Sequence, residues 1–217
     1  MFAFTLPEIL ITLGIIGIIA GMTIPGLITK YQQTMTIIQL KKTFAVLQQA
    51  IRMASEDYGD CEGWEYTLPA EEFVNRYFSP YLKSSKVTLS RDVHSYKDLK
   101  GNTHYMNNVF MFTDGTLFSF FRYAPMQNKN FILIDLNGTS KPNRLGRDVF
   151  ALAFYQNILT GYTQYTTMNS WSKDPRNSGT SGQCNRNAAG GVFGPGSYCS
   201  TVIIFNNWTI PVGYPWK

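Results

Sequence analysis

The chain has 217 residues, 44% of them hydrophobic and 15% charged, which is enough to bury a core in one folded domain of roughly 160 residues with a segment appended. Its net charge of +5 is a modest excess that does not by itself require a nucleic-acid partner. No G-x-S-x-G, no phosphate-cradling Gly loop and no H-E-x-x-H occurs, and with only two His the sequence offers no catalytic constellation, so it reads as a non-enzyme without a cofactor.

The mean hydropathy of −0.13 conceals a sharp partition, because residues 4–28 carry one ionisable side chain, Glu8. As a helix this run is about 37 Å long, against a bilayer core of about 30 Å, and it is too long for the apolar part of a cleavable secretory signal. Gly14, Gly17 and Gly21 weaken such a helix without forbidding it and offer a close-packing face. Pro25 removes a backbone donor and is expected to kink or loosen it. A carboxylate in lipid costs roughly 2.5–3.5 kcal/mol, less near an end, so Glu8 calls for a partner or a headgroup-level position favoured by the helix dipole.

Beyond Pro25 the apolar residues Ile37, Leu40, Phe44, Leu47, Ile51, Ala54 and Tyr58 recur at steps of three and four, which predicts one amphipathic helix ended by Gly59. Lys41, Lys42, Gln48, Gln49 and Arg52 take its other faces. "LPAEEFVNRYFSPYL" reads as a short helix with Pro69 near its first turn and Phe73, Tyr77 and Leu82 as packing residues. His94, Tyr96, Lys97, Lys100 and His104 are read as a solvated loop; the other reading is contact with an anionic polymer such as DNA. "NVFMFTDGTLFSFF" predicts a hairpin turning at Asp114 and Gly115, "NFILIDLNGTS" a third strand, and "STVIIFNNWTIPVGYPW" a fourth, together an antiparallel sheet.

Two further stretches invite site readings. In "DLNGTSKPNRLGRDVFAL", Asp135, Asn137 and Asp148 are oxygen ligands in turn-rich sequence, but the EF-hand spacing and its bidentate Glu are missing. Shaping the turn is the preferred role for Asp135 and Asn137, and metal ligation by the three is the weaker one. Cys184 and Cys199 enclose "NRNAAGGVFGPGSY", which has little means of holding its own shape. A disulfide would close it, contributing about 3 kcal/mol in the chain-entropy model; two independent thiols or a metal pair are the alternatives. Cys61 is left over as a buried or loop thiol.

"FTLPEILITLGIIGIIAGMTIP" resembles the N-terminus of type IV pilins and of the related type II secretion pseudopilins, whose pattern is Phe-Thr-Leu-x-Glu, an apolar run, and a Pro near its end. Phe4, Thr5, Leu6, Glu8 and Pro25 fall where that pattern asks. In the family Gly usually precedes the cleavage site and a Lys or Arg stands in the leader; here Ala3 and the uncharged Met1–Ala3 take those places.

The resemblance implies an α+β pilin-like fold: a long N-terminal helix, membrane-embedded in its first half, packed on an antiparallel sheet. A disulfide-closed C-terminal loop is common in such proteins. It implies a leader at 1–3, a membrane or filament-core helix at 4–28, its amphipathic continuation at 29–58 and a head at 59–217. It also implies cleavage by a prepilin peptidase between Ala3 and Phe4, methylation of the Phe4 amine, and pairing of Glu8 with the Phe4 amine of a neighbouring subunit.

The partners implied are other pilin or pseudopilin subunits, the peptidase, an inner-membrane assembly platform and, before assembly, membrane lipid. The location implied is the bacterial inner membrane, single-pass, with the head in the periplasm or outside. Lys30, Lys41, Lys42 and Arg52 after the span argue, taken alone, for a cytoplasmic body, whereas a disulfide argues for an oxidising compartment. A single-span anchored binding protein that never polymerises, and a minor pilin that captures DNA, are the competing functions.

Overall fold

The computed structural model describes residues 5–82, 88–90, 94–122, 130–161, 184–187 and 192–216. Ala3 and Phe4 lie outside them. The chain divides into two compact units, Met1–Ile38 and Gln39–Lys217. It is an α+β protein, with a long N-terminal helix, antiparallel sheets and a disulfide towards the C-terminus.

Helix α1 covers Leu6–Tyr58 with Pro25 inside it, where the ring removes one backbone donor from the helical ladder. Four threonines in its first unit are satisfied inside the helix. Thr12 donates to the Ile9 carbonyl, Thr23 to Ile19, Thr29 to Pro25 and Thr34 to Lys30, at 2.9–3.0 Å. Hydroxyls folded back onto the preceding turn do not need water, which suits an apolar surround.

Within the second unit, Leu40, Thr43, Leu47, Ala50, Ile51 and Ala54 form the buried face of α1, while Lys41, Lys42, Gln49 and Arg52 stay exposed. Gln48 leaves the expected outward set. Its Nε2 donates to the Asn157 carbonyl at 2.8 Å and its Oε1 accepts the Leu159 N–H at 2.7 Å. Gly59, at φ +76°, closes the helix in a conformation that glycine adopts without steric cost.

Eight strands follow among the described residues: β1 Thr88–Ser90, β2 His94–Lys97, β3 Thr103–Met106, β4 Val109–Met111, β5 Leu117–Arg122, β6 Asn130–Asp135, β7 Val149–Tyr155 and β8 Ile158–Gly161. Six make one antiparallel sheet in the order β1-β4-β5-β6-β7-β8, and β2 pairs with β3 in a second. The hairpin at Asp114–Gly115 and the third strand lie where the alternating pattern puts them. Every residue of β6 is buried, as in a strand covered on both faces.

One face carries Phe131, Leu133, Val149, Ala151 and Ala153 beneath Tyr96, Met106, Leu145, Phe193 and Tyr198. Aromatic residues meet elsewhere in the head: Trp64 stacks on Tyr77 at 4.5 Å, and Phe78 meets Phe120 at 4.4 Å. Helix α2, Ala70–Tyr77, supplies Phe73 and Tyr77 to this cluster, with Pro69 as the residue before its first turn.

Three expectations need correction. The run "CSTVIIF" is not a strand but helix α3, Cys199–Phe205. A short apolar run has no decisive period, and here packing decides. Ser200 donates to the Ala151 carbonyl, and a Cβ added at Gly161 would stand 2.4 Å from Thr201 Cα, so α3 rests directly on the end of β8.

The sheet instead gains β7 and β8, joined by Gln156 and Asn157, both at positive φ (48° and 60°), a two-residue turn with no glycine to announce it. Asn157 is held there by the Cys61 N–H on its Oδ1 at 2.8 Å and by its own Nδ2 on Asp60 at 2.7 Å.

Finally, His94–Met106 is a hairpin rather than a loop. The buried carboxylate of Asp98 builds its turn, accepting the N–H groups of Lys100 and Asn102 at 2.8 and 2.9 Å and His104 Nε2 at 3.0 Å. Burial pushes this carboxyl up, but the bonds from His104, Asn102 and Lys100 outweigh it and hold the group below the usual carboxylate range.

Candidate functional site

Helix α1 starts with a cap made by the Glu8 carboxylate. Thr5 precedes its first turn and Glu8 stands three residues on; Glu8 Oε2 accepts the Thr5 N–H at 2.8 Å and the Thr5 hydroxyl at 2.7 Å. The carboxylate thus satisfies a backbone donor at the helix N-terminus, where the dipole favours negative charge. Thr-x-x-Glu ahead of an apolar run is the sequence signal for a capping box, of which the Glu8 half is formed here.

Both bonds fall on one oxygen, and the residue is exposed. Around it the helix surface is bare: Leu6, Leu10, Ile11 and Met22 are 62–78% exposed. This is one helix long and apolar enough to cross a membrane. A continuous apolar surface of that extent marks a lipid or protein contact.

In the head, the three oxygen-bearing residues of the acidic loop are brought together, but as loop builders. Asp135 is fully buried at the end of β6; its Oδ2 meets His94 Nε2 at 2.7 Å and its Oδ1 accepts the Asn137 N–H at 3.2 Å. Burial is the main reason its carboxyl is pushed up to about 6; the His94 hydrogen bond opposes that and nearby Asp148 adds to it.

Asp148 takes the Asn143 N–H at 2.8 Å, the Arg144 N–H at 2.5 Å and Asn137 Nδ2 at 3.1 Å. It too is raised, by burial, against the pull of these donors. The result is a strap, residues 141–148, wound on Asp148 and laid across β2: Lys97 donates its N–H to the Asn143 carbonyl and Leu145 to the Lys97 carbonyl, both at 2.8 Å. Among the described residues no three His, Cys, Asp or Glu side chains converge as a metal site would need. His94 is the partner that sequence reading missed, because only the β2–β3 hairpin brings it to Asp135.

Cys184 and Cys199 are joined by a disulfide. The strap lies against it: a Cβ added at Gly146 would stand 2.8 Å from Cys199 Sγ, and Tyr214 donates its hydroxyl to the Gly146 carbonyl. Cys61 is a buried free thiol, pushed up to about 12 chiefly by burial, which makes it a poor nucleophile.

Taken together, the described residues show an α+β protein with one capped, apolar N-terminal helix long enough to cross a membrane and a disulfide in its head. The chain belongs to the family described as a family of unknown function (DUF6613), which it matches over residues 26–217. The match opens one residue after Pro25, so it covers the head and leaves out the apolar segment with Thr5 and Glu8. No curated protein and no solved structure matches the chain.

Proposed function

We propose that the chain is a structural subunit of a type IV pilus or a type II secretion pseudopilus, cut between Ala3 and Phe4, methylated on Phe4 and polymerised through the first half of α1. The observation that carries this reading is the apolar helix surface, which is unburied within its own chain and headed by a single carboxylate in the Phe-Thr-Leu-x-Glu pattern. Before assembly, lipid covers that surface and the helix holds the subunit in the inner membrane. In the filament, neighbouring helices replace lipid, and Glu8 receives the Phe4 ammonium of the next subunit. The disulfide supports placement of the head in an oxidising compartment.

The test has two parts. Intact mass of the purified chain should show loss of Met1–Ala3 and gain of one methyl group. Glu8→Gln should leave membrane insertion unchanged and abolish incorporation into sheared filaments; normal incorporation refutes the proposal.

A second reading rests on the Thr5–Glu8 cap, which gives the carboxylate a partner without any neighbour. On that reading the chain is a single-span anchored binding protein, and Glu8→Gln changes nothing but helix fraying.

A further inference from the structure

The strap and the β2–β3 hairpin enclose a half-open groove of about 590 Å³, lined by Ser95, Lys97, Thr103, Lys141, Asn143 and Arg144 among others. No carboxylate lines it, and none of its three cations forms an ion pair among the described residues. Lys97 and Lys141 are exposed; Arg144 is half-buried, with Nη2 donating to the Leu99 carbonyl at 3.4 Å.

Like charges gathered on flexible loops would drift apart, but here the backbone beneath them is fixed. Lys97 and the strap exchange two hydrogen bonds, and Asp148 grips the N–H groups of Asn143 and Arg144. Residues more than 40 positions apart in sequence are thereby held around one space. The strap thus supplies a clamp whose outer side chains are basic.

We propose that this groove binds an acidic saccharide: a hydroxyl-rich ligand bearing sulfate, phosphate or carboxylate groups. The planar fork of Arg144 and the two ammonium groups suit an oxyanion. The hydroxyls of Ser95 and Thr103 and the amide of Asn143 suit sugar hydroxyls, which both donate and accept. The volume is that of a small-ligand site. Single-stranded nucleic acid needs aromatic faces on which bases stack. The one aromatic residue in the lining, Tyr96, is 2% exposed, and the exposed Tyr105, opposite Ser95, stands outside the lining. The proposal is independent of filament assembly.

It is tested on the full chain in micelles of an uncharged polyoxyethylene detergent, by calorimetric titration with a heparin-derived tetrasaccharide, a neutral cello-tetrasaccharide, sodium sulfate and a short single-stranded DNA. The sulfated tetrasaccharide should bind and the neutral one should not. Lys97→Gln with Arg144→Gln should weaken binding at least about tenfold, the scale of a lost charged hydrogen bond. Lys141→Gln, at an exposed site where the fold is not at risk, should weaken it in the same direction, and Lys41→Gln, outside the groove, should not. No binding of the tetrasaccharide, equal loss in Lys41→Gln, or saturation by sulfate alone overturns the proposal. Tighter binding of the DNA that is lost in the same double variant also overturns it, in favour of nucleic acid.

Discussion

Asp148 organises the strap, so its removal should be costly in a way the hydrogen bonds allow to be estimated. Its carboxylate, in a residue 5% exposed, accepts two backbone N–H groups and one side-chain amide. Bonds to a charged group contribute about 1.5–3 kcal/mol each, but burial penalises the charged acceptor and offsets part of that. Asp148→Ala leaves three donors without acceptors and should destabilise the chain by about 3–5 kcal/mol. Asp148→Asn keeps the shape and one acceptor oxygen, and should lose about 2–3 kcal/mol.

The assay is urea unfolding of the full chain in micelles at neutral pH, followed by tryptophan fluorescence. Trp64 and Trp216 are both buried and should report the transition. A chelator added to the unaltered chain should change nothing. A loss below about 1 kcal/mol in Asp148→Ala refutes the clamp. A chelator effect as large as the substitution refutes it differently, by making the carboxylate a metal ligand.

Gly161→Ala should destabilise the head by at least about 2 kcal/mol, because its Cβ would meet the Thr201 backbone at 2.4 Å and α3 cannot retreat without uncovering β8; unchanged denaturant midpoints would contradict that contact. Asp135 gives a pH signature. With its carboxyl raised to about 6, the folded state holds this proton more tightly than the unfolded one. Its contribution is therefore fully present below about pH 4 and fades as pH rises to about 6, by about 3 kcal/mol, and Asp135→Asn should flatten that part of the stability profile. Identical pH profiles in the two proteins would reject the assignment. Cys61 should resist iodoacetamide at mild alkaline pH in the native chain and react after denaturation, as mass spectrometry of the alkylated peptide would show; prompt native labelling would place the thiol in the open.

Elements with a strong period were legible from the residues. The stripe Leu40–Leu47–Ile51–Ala54, the Asp-Gly hairpin and the alternating third strand rest on burial of one face, which spacing encodes directly. What escaped was built by side chains acting at a distance. The turn between β7 and β8 depends on Asn157 being held by Asp60 and the Cys61 N–H, the β2–β3 turn on a buried Asp98, and α3 on a seat at Gly161. "VFALAFY" runs straight on from the acidic loop, and "STVIIF" has a strand's apolar, β-branched composition but folds as a helix.

The site divides in the same way. Glu8 stood out as a lone charge and Asp135, Asn137 and Asp148 as a turn, but His94 beside Asp135, and Lys97 beside Arg144, meet only after a hairpin and a strap have formed.

The threonines of α1 carry one more consequence. With the hydroxyls of Thr12 and Thr23 donated to their own helix, the side chains between Ile9 and Ile28 have no proton left to donate to a neighbour. To such a rod, acyl chains and the flanks of other helices are nearly equivalent solvents, and exchanging one for the other alters only the closeness of packing. A segment built this way can be withdrawn from one surround and inserted into the next without a large polar barrier in between, leaving the capped carboxylate at its tip as the one group that can tell the two surroundings apart.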